Sequence, residues 1–177
     1  MIIVSVIIMI IPTFFTKGVS RIVIEKEINL PLVLNDDKNT KIVFFGYSGC
    51  TDICAPRLDS LSIFFKSLPT ELKEKVGLEF LDISLPIDNT LPQRFAEHFN
   101  NDFKGIYLAQ DTLREYTRAF DVYFSQSLID QYEFDHTSHI YLVTKKNNIK
   151  KIRYIYHAFP YDYEQIKKDI KGLINEQ

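Results

Sequence analysis

The sequence is poor in several features that would indicate a specialised class of protein. It has only 2 cysteines in 177 residues, too few for a disulfide-rich scaffold or a four-cysteine zinc site. The net charge is -2, so the basic surplus of a nucleic-acid-binding protein is missing and no nucleic-acid partner is expected. The 6 glycines are scattered, which argues against a glycine-rich phosphate loop. The remaining composition is that of an ordinary globular protein, neither fibrous nor disordered.

One long hydrophobic run is present, and it lies at the start of the chain. The first charged side chain is Lys17. The run before it is short for a spanning helix, which needs ~20 apolar residues, and it fits the apolar part of a signal peptide. We expect residues 1–20 to form a hydrophobic membrane anchor or signal segment. Gly18-Val19-Ser20 is a weak match to a cleavage site, so cleavage is left open.

An anchor of this kind predicts where the rest of the chain lies. We favour a single N-terminal anchor in the inner (cytoplasmic) membrane, with residues 21–177 as one exported domain. That domain would face the periplasm or an equivalent space. Its length is sufficient for one sizeable core.

The order of apolar segments after residue 20 predicts an α/β domain. An extended segment at 26–41, with a polar turn at 35–37, leads to a continuous apolar run at 41–46. Such a run is typical of a central parallel strand that is buried on both faces. The further predicted elements are helices at 54–68, 92–99, 111–120 and 161–174, strands at 76–85 and 105–108, and a hairpin of 139–144 with 149–156. This order indicates a mixed β-sheet flanked by helices.

The two cysteines lie where this predicted architecture places functional sites. Cys50 and Cys54 are separated by three residues and follow the buried strand, where the next helix begins. The carboxyl edge of a parallel sheet is the usual site position in α/β proteins. A helix N-terminus lowers the pKa of a thiol, and residues four apart share one helical face. Asp52, between the cysteines, is interpreted as a helix cap.

The spacing of the cysteines does not choose between redox and metal chemistry. Cys50 and Cys54 could form a redox pair in thiol–disulfide exchange, or two thiolate ligands for a soft ion such as Cu(I). Structural cysteines without a function are the simplest alternative. A peroxidase with a resolving cysteine and a non-catalytic interaction module are further hypotheses.

A copper site that binds both Cu(I) and Cu(II) benefits from a histidine ligand beside the two thiolates. His136 is the best candidate, since it lies in a predicted polar loop directly before the strand at 139–144. His139 is close by and can face either way. His98, in a polar helical stretch, and His157, after a strand, are interpreted as ordinary surface residues.

Two segments resemble the signatures of one family, the Sco/SenC proteins. The first is the stretch at 44–54, Phe-Phe-Gly-Tyr followed by Cys50-Thr-Asp-Ile-Cys54, which is similar to F-G-Y-x-x-C-P-D-x-C-P. The second is Asp135-His136-Thr137 followed by Ile-Tyr-Leu-Val at 140–143, which is similar to D-H-[S/T]-x-x-I-Y-L-V. The resemblance covers roughly residue 28 to the C-terminus. Thr51 and Ala55 replace the family's prolines, which removes no ligand but leaves the loop less restrained.

The resemblance implies a thioredoxin-like fold and a copper site, for Cu(I) and Cu(II), made by Cys50, Cys54 and His136. It also implies a role in assembling the binuclear copper centre of cytochrome c oxidase. Two activities follow from it: a metallochaperone that delivers copper, or a thiol–disulfide reductase that prepares the cysteines of the target. The expected partner is the copper-centre subunit of the oxidase or another copper or thiol protein.

Overall fold

The computed structural model describes residues 21–30, 38–128 and 133–176. The hydrophobic segment at 1–20 and the polar turn at 35–37 lie outside the described residues. Within the described part of the chain, none of the helices combines the length and the apolar character needed to cross a membrane.

Eight strands and five helices make up the described chain, and the elements that we predicted follow each other in the predicted order. The strands are β1 (Arg21–Ile28), β2 (Thr40–Gly46), β3 (Val76–Asp82), β4 (Phe103–Tyr107), β5 (Phe124–Gln126), β6 (Phe134–His136), β7 (Ile140–Lys146) and β8 (Ile149–Tyr156). The helices are α1 (Cys54–Ser67), α2 (Thr70–Lys73), α3 (Leu91–Phe99), α4 (Gln110–Phe120) and α5 (Tyr163–Asn175).

Six strands form one mixed sheet with the order β1-β8-β7-β2-β3-β4. Strand β2 runs parallel to β3 and antiparallel to β7. Every residue of β2 and β3 is buried, as expected for central strands with both faces covered. The prediction of a buried parallel strand at 41–46 is therefore confirmed. The carboxyl end of β2, at Gly46, carries the cysteine turn.

Helices cover both faces of this sheet. Phe80 of β3 contacts Phe95 of α3 on one face, with 5.4 Å between the ring centroids. Phe45 of β2 points to the other face and contacts Phe120 of α4 at 5.2 Å. Helix α5 lies beside α1, because the ring of Tyr163 stacks on Phe64. The predicted mixed sheet flanked by helices is confirmed, and its arrangement is thioredoxin-like.

Two features of the fold differ from the sequence-based expectations. Strand β1 was not predicted as a separate strand, and it pairs antiparallel with β8 at the edge of the sheet. Its side chains are mostly exposed or half-buried, so it lacks the apolar pattern of the central strands. Strands β5 and β6 form a separate two-stranded sheet; β6 lies where we predicted a polar loop, and β5 was not predicted. Each has only three residues, too few for a periodic pattern.

Candidate metal centre

The cysteine turn begins directly after β2. Cys50 lies in this turn, and its backbone N–H donates to the carbonyl oxygen of Tyr47 at 3.2 Å. Gly49 precedes it with a φ of 94°, a left-handed conformation that glycine adopts without strain. Cys54 is the first residue of α1. Both cysteines are buried and carry free thiols.

The relation of the cysteines to the helix differs from the prediction. Cys50 lies before α1, so the two residues do not share a helical face. The turn nevertheless brings them together, because the Cys54 N–H donates to the sulfur of Cys50 at 3.3 Å. Asp52 is not the cap that we expected: Ile53 occupies the N-cap position without a side-chain hydrogen bond. Asp52 accepts a hydrogen bond from Thr51 instead.

His136 reaches the cysteines from β6 and not from a loop. It pairs with Phe124 across the small sheet, which fixes its backbone more firmly than a loop would. Its Nε2 lies 3.7 Å from the Cys54 sulfur. The ligand atoms of Cys50, Cys54 and His136 all lie within 4.8 Å of one another. The structure thus brings together the three residues that the sequence singled out.

A hydrogen bond at Nδ1 orients the His136 ring for binding a metal ion. Its Nδ1 lies 3.0 Å from the carbonyl oxygen of Thr137. A carbonyl can only accept, so Nδ1 is the donor in this hydrogen bond, and Nε2 is the ring nitrogen left to act at the cysteines. Metal-binding histidines are typically oriented in this way by a bond at the second nitrogen. Nε2 faces the Cys54 sulfur.

The two thiols differ strongly in acidity. The Cys54 thiol donates a hydrogen bond to Cys50. Against the opposing effect of burial, this bond, followed by a hydrogen bond with His136 and one from the Cys54 backbone N–H, lowers the pKa of Cys50 from 9.0 to about 3. The same hydrogen bond, together with burial, raises the pKa of Cys54. The pair therefore holds one negative charge at neutral pH. We predicted that the helix N-terminus would lower a thiol pKa. The pKa of Cys50 is lowered, but the Cys54 thiol contributes more to this than the backbone N–H groups at the helix start, and the pKa of Cys54 is raised instead.

The spacing of these atoms fits a metal ion of soft or borderline character. Bond lengths in zinc sites are about 2.3 Å to sulfur and about 2.0 Å to nitrogen. At a trigonal angle these lengths give a sulfur–nitrogen separation of about 3.7 Å, which is the separation of Cys54 Sγ from His136 Nε2. Two sulfurs and an imidazole do not suit magnesium or calcium. The site can hold one soft or borderline transition-metal ion.

Aromatic rings form one wall of the centre. Tyr47 packs against Phe134 at 5.4 Å and against the His136 ring at 6.0 Å between centroids. Burial, followed by a hydrogen bond to Cys50, raises the pKa of Tyr47, so its hydroxyl stays protonated. This wall restricts the His136 ring and limits the access of water to the sulfurs.

Asp82 is a residue of the site that our sequence reasoning missed. It ends β3 beside the cysteine turn and is fully buried. Its carboxylate accepts hydrogen bonds from the backbone N–H and hydroxyl of Ser48 and from those of Ser84. Ser48 is two residues before Cys50, so Asp82 fixes the start of the cysteine turn. The sequence does contain a signal for Asp82, since it is an acidic residue at the end of a predicted apolar strand.

Gly46 lets the helix approach β2 closely. A Cβ atom at this position would lie 2.6 Å from the Cys54 sulfur and 2.9 Å from Cε2 of Phe80. Both separations are shorter than real contacts, so any side chain must displace Cys54. Gly46 is therefore part of the centre although it offers no ligand.

Gly46→Ala is expected to destabilise the reduced protein by about 1–3 kcal/mol, the usual effect of overpacking a core. Urea denaturation under reducing conditions measures the change. Gly172→Ala is the matched control, because its Cβ meets nothing within 4 Å and alanine is favoured in a helix by about 1 kcal/mol. A Gly46→Ala protein as stable as the wild type would show that the close approach is absent.

Comparison with known sequences identifies the family. The model of the SCO1/SenC family matches residues 37–175. An SCO2-like protein of Rickettsia conorii is 25% identical over 138 residues, which cover 70% of this chain and 63% of that protein. A second SCO2-like protein, of Rickettsia felis, is 24% identical with the same coverage. The chain therefore spans 63% of the length of these curated relatives.

Comparison with solved structures agrees with the fold. The solution structure of apo Sco1 from Thermus thermophilus matches with a TM-score of 0.66 and 20% identity, over 86% of this chain and 92% of that one. The crystal structure of Arabidopsis thaliana ScoI with copper bound matches with a TM-score of 0.63 and 18% identity, over 78% of this chain and 86% of that one. At such identity the likeness concerns the fold. The two sequence motifs indicated this family, and its model matches most of the chain, so this protein belongs to the SCO1/SenC family.

Proposed function

We propose that this protein is a copper chaperone. It would carry one copper ion, bound by Cys50 Sγ, Cys54 Sγ and His136 Nε2. The observation that carries the proposal is the convergence of these three ligand atoms within 4.8 Å. Copper is the cargo in this function and not a resident cofactor. The site therefore has to bind the ion and also release it.

The chemistry of the ligands favours copper over other ions. Thiolates select soft ions such as Cu(I), and the added imidazole suits Cu(II). Three ligands leave open positions at the metal, so a partner thiolate can join the ion before Cys50, Cys54 or His136 leaves. Both cysteines are reduced, which is the state required for binding. Oxidation to a disulfide would remove both sulfur ligands and prevent loading.

The partner and the location extend the same proposal. The family motifs support the copper-centre subunit of cytochrome c oxidase, or another copper or thiol protein, as the recipient. The copper-bound crystal structure of Arabidopsis ScoI, which shares the fold, supports copper as the ion. We further propose that residues 1–20 anchor the chain in the inner membrane with its domain in the periplasm. The hydrophobic run before Lys17 supports this location.

His136→Ala is expected to weaken Cu(I) binding at least ~10-fold. Loss of a group that only orients a metal ligand typically lowers metal affinity 10–100-fold, and His136 is proposed to be a ligand itself. It should also change the Cu(II)–thiolate absorption. Competition of the reduced full chain with a Cu(I) chelator gives the affinity. His98→Ala is the control, since His98 packs on Phe99 in α3. Unchanged Cu(I) affinity and an unchanged Cu(II) spectrum in His136→Ala would contradict the three-ligand site.

Thiol–disulfide exchange is the second candidate function, and the lowered pKa of Cys50 favours it. The Cys50 thiolate would attack a target disulfide and form a mixed disulfide. Cys54, after losing its proton, would then displace the target thiolate and leave a Cys50–Cys54 disulfide with a reduced target. Reduced, metal-free protein should then reduce a model disulfide stoichiometrically, and Cys54→Ala should stop at the mixed disulfide. Failure to reduce any model disulfide would count against this function.

A further inference from the structure

Two histidines outside the cysteine centre, His139 and His157, lie opposite each other at the end of the β7–β8 pair. Ile140 pairs with Tyr156 in the antiparallel register of these strands. One further step along that register places His139 opposite His157. Their ring centroids are 6.0 Å apart, with 69° between the ring planes. Directly opposed residues have Cβ atoms about 4.5–5.5 Å apart, so the backbone itself holds the two imidazoles together.

We propose that His139 and His157 form a second metal site, a two-imidazole site that binds copper. It goes beyond the proposed function, since it shares no ligand with the centre of Cys50, Cys54 and His136. Imidazole is a good ligand for copper, and Cu(II) binds most tightly among the divalent first-row ions. Water or a partner side chain would supply the remaining ligands.

The separation of the rings fits one bridging ion. An ion midway between the centroids would lie about 3 Å from each. This is the distance expected for a metal–nitrogen bond of about 2.0 Å plus the distance from the nitrogen to the ring centre. The rings are not parallel, so they are not stacked flat on each other. Rotation of the rings about their side-chain bonds brings one nitrogen of each toward the shared ion.

The surroundings keep one histidine in place and the other accessible. His139 is half-buried and contacts the ring of Tyr141 at 6.3 Å. The hydroxyl of Tyr161 donates to the carbonyl oxygen of the neighbouring Ser138 at 3.2 Å, which holds the start of β7. Burial and the nearby His157 lower the pKa of His139, so this ring is neutral and able to bind at neutral pH. His157 is exposed, and an ion can reach it from solvent.

The site lies at the same edge of the sheet as the cysteine centre. His139 directly precedes Ile140, which pairs with Phe44 of β2. Two residues beyond Phe44, β2 ends and leads into the cysteine turn. His136 lies on the same connection, three residues before His139. A copper ion on the histidine pair would therefore be held beside the centre that handles copper in the proposed function.

The test removes the cysteine centre and measures what remains. In full-length Cys50→Ala/Cys54→Ala/His136→Ala protein, titration with Cu(II) should show one bound equivalent, with nitrogen ligands in the electron paramagnetic resonance spectrum. Adding His139→Gln or His157→Gln should weaken that binding at least ~10-fold, because each removes one of two protein ligands. His98→Gln in the same background is the matched control. This background reports on the pair whether or not the cysteine centre binds copper.

Three results would overturn the site: no copper bound in the triple variant, unchanged affinity after both glutamine substitutions, or an equal effect of His98→Gln. Circular dichroism of each variant checks that the fold is kept. A second measurement uses otherwise wild-type protein. There, His139→Gln/His157→Gln should lower the total bound copper by one equivalent and leave Cu(I) affinity at the cysteine centre unchanged. Loss of no equivalent would equally contradict the site.

Discussion

Asp82→Ala is expected to destabilise the folded chain by about 3 kcal/mol and to weaken copper binding about 10-fold. The carboxylate of Asp82 accepts from the N–H of Ser48 at 2.9 Å and from the N–H of Ser84 at 2.8 Å. Hydrogen bonds to a charged group contribute about 1.5–3 kcal/mol each. Water can replace part of this set because both serines are half-buried, so the expected loss is smaller than the sum.

The effect on copper follows from the position of the turn. Ser48 is two residues before Cys50, so loss of Asp82 frees the segment that carries the first sulfur ligand. Groups that orient a ligand in this way typically change metal affinity 10–100-fold. The change should therefore appear in Cu(I) affinity although Asp82 is not itself a ligand.

Asp88→Ala is the matched control for this prediction. Asp88 also accepts from the N–H and hydroxyl of a residue two positions later, Thr90, but its side chain is 49% exposed. Urea denaturation midpoints and chelator competition should change little in Asp88→Ala and strongly in Asp82→Ala. If the two variants behave alike, burial of Asp82 is not what makes its hydrogen bonds important.

The extent to which the sequence predicts this fold varies from element to element. Strand β2 was predicted because burial on both faces produces an unbroken apolar run. Helices α1 and α3 were predicted within one residue at each end, because helical spacing and flanking prolines mark their limits. Strand β1 was not predicted, because its stability comes from pairing with β8, which is far away in sequence. Such pairing leaves no local periodicity.

The site shows the same division between local and distant information. The strand-to-helix turn, a local pattern, indicated the two cysteines. His136 could be nominated only by its place before a strand and by the family motif, because it meets Cys54 across 82 residues of chain. The opposition of His139 and His157 depends on the register of β7 and β8, which the sequence of the hairpin does not reveal. Single residues were thus predicted better than pairs.

Lys41 and Glu79 form a buried ion pair inside the central sheet. Their side chains are 1% and 0% exposed, and Lys41 Nζ lies 3.4 Å from Glu79 Oε1. They occupy the adjacent parallel strands β2 and β3, where Lys41 pairs with Gly77 and Val43 pairs with Glu79. Alternation of side chains therefore directs both charges to the same face of the sheet. The absence of a side chain at Gly77 gives Lys41 room, since a Cβ there would lie 3.0 Å from its Nζ.

Lys41→Met is expected to destabilise the protein by about 3–5 kcal/mol, because it leaves the Glu79 charge buried without this partner. Lys41→Met/Glu79→Leu should recover most of that loss, since two apolar side chains of similar volume replace both charges. Lys151→Met is the surface control: Lys151 pairs with Glu25 at 3.7 Å and is 41% exposed, so its loss should matter by less than about 1 kcal/mol. Urea denaturation of the four proteins gives the free energies of unfolding. A double variant as unstable as Lys41→Met would show that packing around Lys41, and not the unpaired charge, causes the loss.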